Sequence, residues 1–150
     1  YHNPQVQDCM NPIEQIIDFV EEKVGWESLN DAGFKDKDTL KQYIAFQALG
    51  GNILWTTDPE FGITGVLIAY ECDEGEAYAR FDWEAPKGKS CVFVAQLATI
   101  DSDSTRLLAY GFLERFKDQK TTIAVRRGSY TTMKAHDIAK RLIKATEGLN

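Results

Sequence analysis

The side chains best suited to proton transfer are three carboxylates and a tyrosine in the middle of the chain. Glu71, Asp82 and Glu84 fall in strand-like segments, and Tyr110 lies in an apolar helical segment. A carboxylate can accept a proton in the transition state and a phenol can donate one, so this set suits general acid–base catalysis. Strand carboxylates usually face solvent, so a surface role is the alternative for each, and Tyr130 is a second candidate acid.

Patterns that indicate other chemistries do not occur in the sequence. There is no Ser-His-Asp constellation, phosphate-binding loop, dinucleotide fingerprint or metal-ligand spacing. Cys9, Cys72 and Cys91 are odd in number and widely spaced, which argues against a disulfide framework and favours a reducing compartment. Cys72 and Cys91 lie in apolar segments typical of the core, and His136 lies on a polar helix face typical of the surface. We expect no metal site.

Two basic segments are candidates for binding an anion. Residues 87–90 (KGKS) are basic and contain glycine, and Arg126 and Arg127 end an apolar strand, where open α/β sheets often bind ligands. The net charge is −6, yet bases outnumber acids over residues 106–144. A phosphate-bearing ligand or anionic partner would explain this asymmetry. A tight turn and a solvated helix face are the alternatives.

The segments that must position these side chains form one predicted domain over residues 1–150. Hydrophobic residues make up 43% and charged residues 27%, which is ordinary globular composition. No apolar run approaches the roughly 18 residues needed to span a bilayer, so we expect no membrane contact. Helices are predicted from Asn11-Pro12 to Gly25, from residues 36–38 to Gly50-Gly51, after the polar residues 100–104, and over residues 132–146. Strands are predicted over residues 52–57, 63–72, 77–83, 91–99 and 121–125.

This order of helices and strands resembles the core of the GNAT N-acyltransferases over about residues 11–146. The resemblance implies an α/β (α+β) fold with a mixed, mostly antiparallel central sheet and helices on both faces. It also implies acetyl-CoA or another acyl-CoA as co-substrate, lying where the central strand splays from the next one. The residues that would contact the coenzyme lie at the end of the central strand, at the start of the helix that follows it and at the end of the next strand. They are Gln96, Leu97, Ala98, Thr99, Ser104, Thr105, Arg106, Arg126 and Arg127.

The same resemblance implies the roles of the acid–base candidates. In the family a base deprotonates an amine of the acceptor, a strand amide polarises the thioester carbonyl, and an acid restores the thiolate. Glu71, Asp82 or Glu84 would be the base, and Tyr110 the acid. Residues 81–88 (FDWEAPKG) also resemble a run in the toxin-activating lysine acyltransferases, which implies a catalytic role for Asp82. The acceptor would be a small-molecule or protein amine in the cytoplasm.

A non-catalytic GNAT-fold protein is the alternative function. Residues 100–106 (IDSDSTR) contain no glycine, whereas the family pattern there is Arg/Gln-x-x-Gly-x-Gly/Ala, and Asp101 and Asp103 would repel a pyrophosphate. Such a domain resembles structural or interaction proteins carried by tailed phages, with a protein or virion partner in the host cytoplasm or the virion. A nucleic-acid contact on the basic C-terminal half is a third possibility, disfavoured by the net negative charge.

Overall fold

The computed structural model describes residues 12–78, 86–116, 120–126 and 129–147. Six helices and five strands follow one another in the order α1, α2, α3, β1, β2, α4, β3, α5, β4, β5, α6 within this part of the chain. The helices are α1 Pro12–Val24, α2 Trp26–Asp31, α3 Lys37–Leu49, α4 Glu74–Tyr78, α5 Ser102–Arg115 and α6 Ala135–Glu147. The strands are β1 Ile53–Asp58, β2 Gly62–Cys72, β3 Cys91–Thr99, β4 Thr121–Arg126 and β5 Ser129–Lys134.

The five strands form one mixed sheet in the order β1-β2-β3-β4-β5. The β1–β2, β2–β3 and β4–β5 pairs are antiparallel, and β3 and β4 are parallel. Helix α5 provides the crossover that a parallel pair requires. The expected α+β class with a mostly antiparallel mixed sheet is confirmed.

One face of the sheet is covered by α1, α2 and α3. Ile16 and Val20 recur on the buried side of α1 and pack against Val66 and Ile68 of β2. The chain reaches this position through Gly25, whose φ of 82° ends α1 and starts α2 in a conformation that favours glycine. Asp36 begins α3, since its carboxylate accepts the Thr39 amide hydrogen at 2.9 Å.

The other face is covered by α5 and α6. Leu108 and Phe112 of α5 pack against Leu67 and Ala69, whose side chains alternate with those of Val66 and Ile68 on the same strand. β2 is therefore buried from Ile63 to Tyr70, because both of its faces carry helices. The expected placement of helices on both faces is confirmed.

Two predicted boundaries are wrong in the structure. The strand predicted over residues 77–83 begins inside α4, and residues 79–85 lie outside the described part. The Asp73 amide donates to the Glu76 carboxylate at 2.9 Å, so the two residues form the reciprocal half of a capping box that begins a helix. β2 pairs directly with β3, and the predicted four-strand meander has three strands among the described residues.

The last helix begins at Ala135, after the predicted position of residue 132. Residues 129–134 instead form β5, where Thr131 pairs with Ala124 and Thr132 with Ile123. Threonines and Tyr130 favour a strand when a partner strand is available. The short helix α2 was not predicted.

No helix in the described segments has the length and apolarity required to cross a bilayer.

Candidate functional site

The parallel strands β3 and β4 are joined over a short distance only. Val92 pairs with Thr122, Phe93 with Ile123, and Val94 with Ala124, and the ladder ends there. β3 continues to Thr99 and β4 to Arg126. The strands thus separate toward their carboxyl ends, which is the side of open α/β sheets where ligands usually bind.

An irregularity in β3 accompanies this separation. Across the β2–β3 pair, Ala69 lies opposite Val94 and the preceding Ile68 lies opposite Gln96, so Ala95 is an extra residue on β3. Such a bulge bends its strand and increases the local twist. The bulge therefore lies directly after Val94, where the pairing of β3 with β4 ends.

A cavity of about 600 Å³ lies where the two strands separate. Val94, Ala95, Gln96 and Leu97 of β3 contribute to its wall, and Ala124 contributes from β4. Its lining includes residues from both helical layers, which places the cavity across the sheet. These residues are Phe34 and Tyr43 on the α1–α3 side and Phe112, Ile138, Arg141 and Leu142 on the α5–α6 side.

The N-terminus of α5 already makes hydrogen bonds with side chains of the same protein. Asp101 accepts the Ser104 amide hydrogen at 2.7 Å and so caps the helix. Ser104 donates its hydroxyl to Thr64 at 2.9 Å, and Thr105 shares a hydrogen bond of 2.7 Å with Thr99. These contacts fasten α5 to β2 and β3, so the predicted phosphate contacts Ser104 and Thr105 have structural partners.

Acidic side chains surround the N-terminus of α5. Arg106 is paired with Asp103 at 2.8 Å. A second cavity, of about 540 Å³, is lined by the carboxylates of Asp58, Glu60, Asp101 and Asp103. A pyrophosphate placed here would face like charges.

The basic residues 87–90 also have internal partners. The Lys87 and Gly88 amides donate to the two carboxylate oxygens of Glu76 at 2.7 and 3.1 Å, and the Ser90 amide donates to Asp73 at 3.3 Å. The amides of Lys87 and Asp73 lower the pKa of Glu76. This loop therefore already binds an anion, namely a carboxylate of the same chain.

The described acid–base candidates, Glu71, Tyr110 and Tyr130, do not line the cavity between β3 and β4. Glu71 forms an ion pair with Lys120 at 3.1 Å, and its side chain is 39% exposed. Tyr110 is exposed on the outer side of α5, and neither residue lines the cavity between β3 and β4. Tyr130 lies on β5, the last strand of the sheet, and is also exposed.

Several predicted site residues lie outside the described part of the chain. These are Asp82, Glu84 and Arg127. Arg126 is the last residue of β4, where it pairs with Ser129, and the structure describes its backbone alone. Their predicted roles stay predictions. Of the cofactor-binding set, Gln96 and Leu97 line the cavity.

The two described cysteines are buried, as their apolar segments predict. Cys72 and Cys91 lie directly opposite each other on β2 and β3, with their sulfur atoms 4.0 Å apart and both thiols free. Burial raises the pKa of Cys72 to about 12, with a further contribution from Cys91. Both are poor nucleophiles for this reason. His136 is exposed, as predicted.

The sequence interpretation missed the cavity residues contributed from a distance. Phe34 lies in the loop between α2 and α3, Met133 on β5 and Arg141 on α6, and no spacing in the sequence relates them. Ala95 and Ala124, each smaller than its neighbours on the strand, are the one local signal. No group of three or more His, Cys, Asp or Glu side chains is placed to hold a metal ion among the described residues.

Comparisons of the chain with models of protein families, with curated proteins and with solved structures gave no match. The function must therefore be inferred from the geometry of the cavity and its surroundings.

Proposed function

We propose that the protein is a GNAT-like N-acyltransferase that holds an acyl thioester in the gap between β3 and β4. The observation that carries this proposal is the end of the β3–β4 ladder at Val94 and Ala124, with a cavity of about 600 Å³ beyond it. Past that pair, the side of β3 that faces β4 is not engaged in a strand ladder with it. An extended ligand such as a pantetheine arm can pair there as a strand would.

The bulge supplies a candidate for the group that polarises the thioester. The extra residue of a bulge is left out of the ladder, so the Ala95 amide is not needed to hold β2 and β3 together. A backbone N–H beside the reacting carbonyl stabilises the oxyanion that forms when the amine attacks. The attack forms the C–N bond, and collapse of the oxyanion then breaks the C–S bond, so that the coenzyme leaves as a thiolate.

Two proton transfers complete this reaction. A base takes the proton of the attacking amine, for which Glu71, Asp82 and Glu84 are the candidates. An acid protonates the leaving thiolate, for which Tyr110 or Tyr130 is the candidate. Glu71 acts as a base in this scheme only by leaving its ion pair with Lys120. The acceptor is a small-molecule or protein amine, and the proposed location is the cytoplasm.

Thermal unfolding with millimolar acetyl-CoA and free CoA tests the donor. A ligand present at about one hundred times its Kd adds about 2.7 kcal/mol, which raises the midpoint by a few degrees for a chain of this size. Arg126→Glu and Lys87→Glu locate the pyrophosphate, since the variant that loses the shift marks the contact. The absence of any shift with either ligand would leave the acyltransferase proposal without a donor.

A non-catalytic interaction or structural protein is the second candidate function. It is favoured by the acidic opening of α5, where Asp101 already occupies the Ser104 amide and Asp103 lies beside it. In this case the fold persists without a coenzyme, and a protein partner, including a virion protein if the chain is phage-encoded, replaces the substrate. Unchanged unfolding with every acyl-CoA tested would favour this candidate.

A further inference from the structure

The lining of the β3–β4 cavity differs from the rest of the protein in charge. Among the described residues that line it, Arg141 is the one that carries a charge, and no carboxylate is present. The protein as a whole has a net charge of −6. Arg141 makes no hydrogen bond or ion pair with another described residue. The cavity is therefore suited to a ligand with an anionic group beside Arg141 and an apolar portion elsewhere.

The lining combines buried apolar side chains with one charged side chain that is exposed. Phe34, Leu67 and Phe112 are buried and form the inner wall. Arg141 and Ala145 are exposed on successive turns of α6 and form part of the rim. A ligand that fits this distribution has a long apolar portion inside and a charged end at the mouth.

The size of the cavity sets the length of the apolar portion. A volume of about 600 Å³ corresponds to about twenty water molecules at their share of liquid volume. An acetyl group would fill a small part of this space and leave apolar side chains without contacts. An alkyl chain of about ten to fourteen carbons fits inside it and fills about half or more of it, since a methylene group takes up about as much room as a water molecule.

From these observations we infer that the cavity binds a medium- to long-chain acyl group, with the anionic end of the ligand at Arg141. If the ligand is the acyl donor, the inference rests on the proposed acyl transfer, and a fatty acyl group replaces acetyl. If the cavity is a binding site without transfer, the ligand can be the free fatty acid. The shared chemistry is an alkyl chain in a molecule that also carries an anionic group, which is the carboxylate of the free acid or a phosphate of the coenzyme.

Isothermal titration calorimetry with octanoate and dodecanoate, each below its micelle-forming concentration, tests the inference. Each methylene buried should tighten binding by up to about fourfold, so Kd should fall by at least about tenfold from octanoate to dodecanoate. Dodecyltrimethylammonium has the same chain with a cationic head and should not bind with comparable affinity.

Three variants separate the cavity from nonspecific surface binding. Arg141→Gln should weaken dodecanoate about tenfold, since it removes a charge-assisted contact. Lys140→Gln is the matched control, because it removes the same charge from the adjacent position of α6, which does not line the cavity. Ala145→Trp should abolish binding by filling the rim, and its exposed position leaves the core intact.

The outcomes distinguish this inference from the proposed function. Dodecanoate binding without acyl transfer from any acyl-CoA would support the ligand site and contradict the proposed enzymatic activity. A response to acetyl-CoA without dodecanoate binding would uphold the enzyme and overturn the inference. Dodecanoate binding that is unaffected by both Arg141→Gln and Ala145→Trp would also overturn it. Parallel titration with dodecanoyl-CoA shows which form, thioester or free acid, the cavity prefers.

Discussion

Val94 of β3 and Ala124 of β4 form the last pair that joins these two parallel strands. The bulge at Ala95 follows Val94 immediately, and the added twist of a bulge turns the rest of β3 away from β4. The separation of the strands therefore has a local cause in the backbone. The cavity of about 600 Å³ follows from it, since Ala124 and Ala95 are too small to fill the opened space.

The Ala95 amide is the first feature to test. Proline lacks the N–H and is tolerated at bulges, so Ala95→Pro should fold while losing the proposed oxyanion contact. The rate of acyl transfer should fall by at least about a hundredfold, the usual cost of removing one such donor. Ala95→Gly keeps the amide and serves as the control. A Pro variant with an unchanged rate would show that another group polarises the thioester.

The acidic side chains at the N-terminus of α5 give a prediction about the affinity for CoA. Asn caps a helix about as well as Asp, so Asp101→Asn keeps the bond to the Ser104 amide and removes one negative charge. If a pyrophosphate lies here, its affinity should rise about fivefold, since one like-charge contact costs about 1 kcal/mol. Asp38→Asn, in the first turn of α3, is the matched control. Equal CoA affinities for both variants would place the pyrophosphate elsewhere.

Gly65 is required where the first three strands and α5 meet. A Cβ atom at this position would lie 2.8 Å from Thr56 Oγ1 and 3.0 Å from Leu108 Cδ1. Thr56 can yield little, because its hydroxyl shares a hydrogen bond of 2.8 Å with Thr64. Gly65→Ala should therefore lower the free energy of unfolding by about 1–3 kcal/mol.

Gly75 provides the control for this substitution. It lies in α4 with nothing within 4 Å of its Cβ position. Gly75→Ala should be neutral or stabilising, since alanine favours the helix. Urea denaturation of both variants measures the difference, and equal stabilities would contradict the packing described around Gly65.

The buried thiols give a pH dependence of stability. Burial raises the pKa of Cys72 from 9.0 in an exposed thiol to about 12. Above pH 9 the unfolded chain releases a proton that the folded chain retains, so this group lowers the free energy of unfolding as the pH rises toward about 12. Below pH 9 it has no such effect. Urea denaturation at several pH values should show a shallower decline for Cys72→Ala than for the wild type, and parallel curves would contradict this.

The sequence predicted most elements because their signals are local. Periodic Ile16, Ile17 and Val20 indicate α1, and the apolar run of residues 91–99 indicates β3, whose bounds the structure confirms. Residues 132–134 of β5 were assigned to the last helix because they have no helical or strand period of their own. Their pairing with β4 decides the conformation.

The candidate site was less accessible from the sequence. Ser104 and Thr105 were assigned to a coenzyme by their position after β3, whereas their hydroxyls bond to Thr64 and Thr99. Such contacts join residues that are up to forty positions apart. Arg141 had no distinguishing feature among the basic residues of α6, and it became a candidate because the fold places it beside the β3–β4 cavity.

The most direct test of the central claim is backbone amide NMR of the uniformly labelled protein, titrated with dodecanoyl-CoA. We expect the largest chemical-shift changes at Ala95, Gln96 and Ala124, with smaller changes along α6 around Arg141. Saturable changes at these residues would establish that the gap between β3 and β4 is a ligand site. Changes confined to the opening of α5, or no changes at all, would contradict the claim.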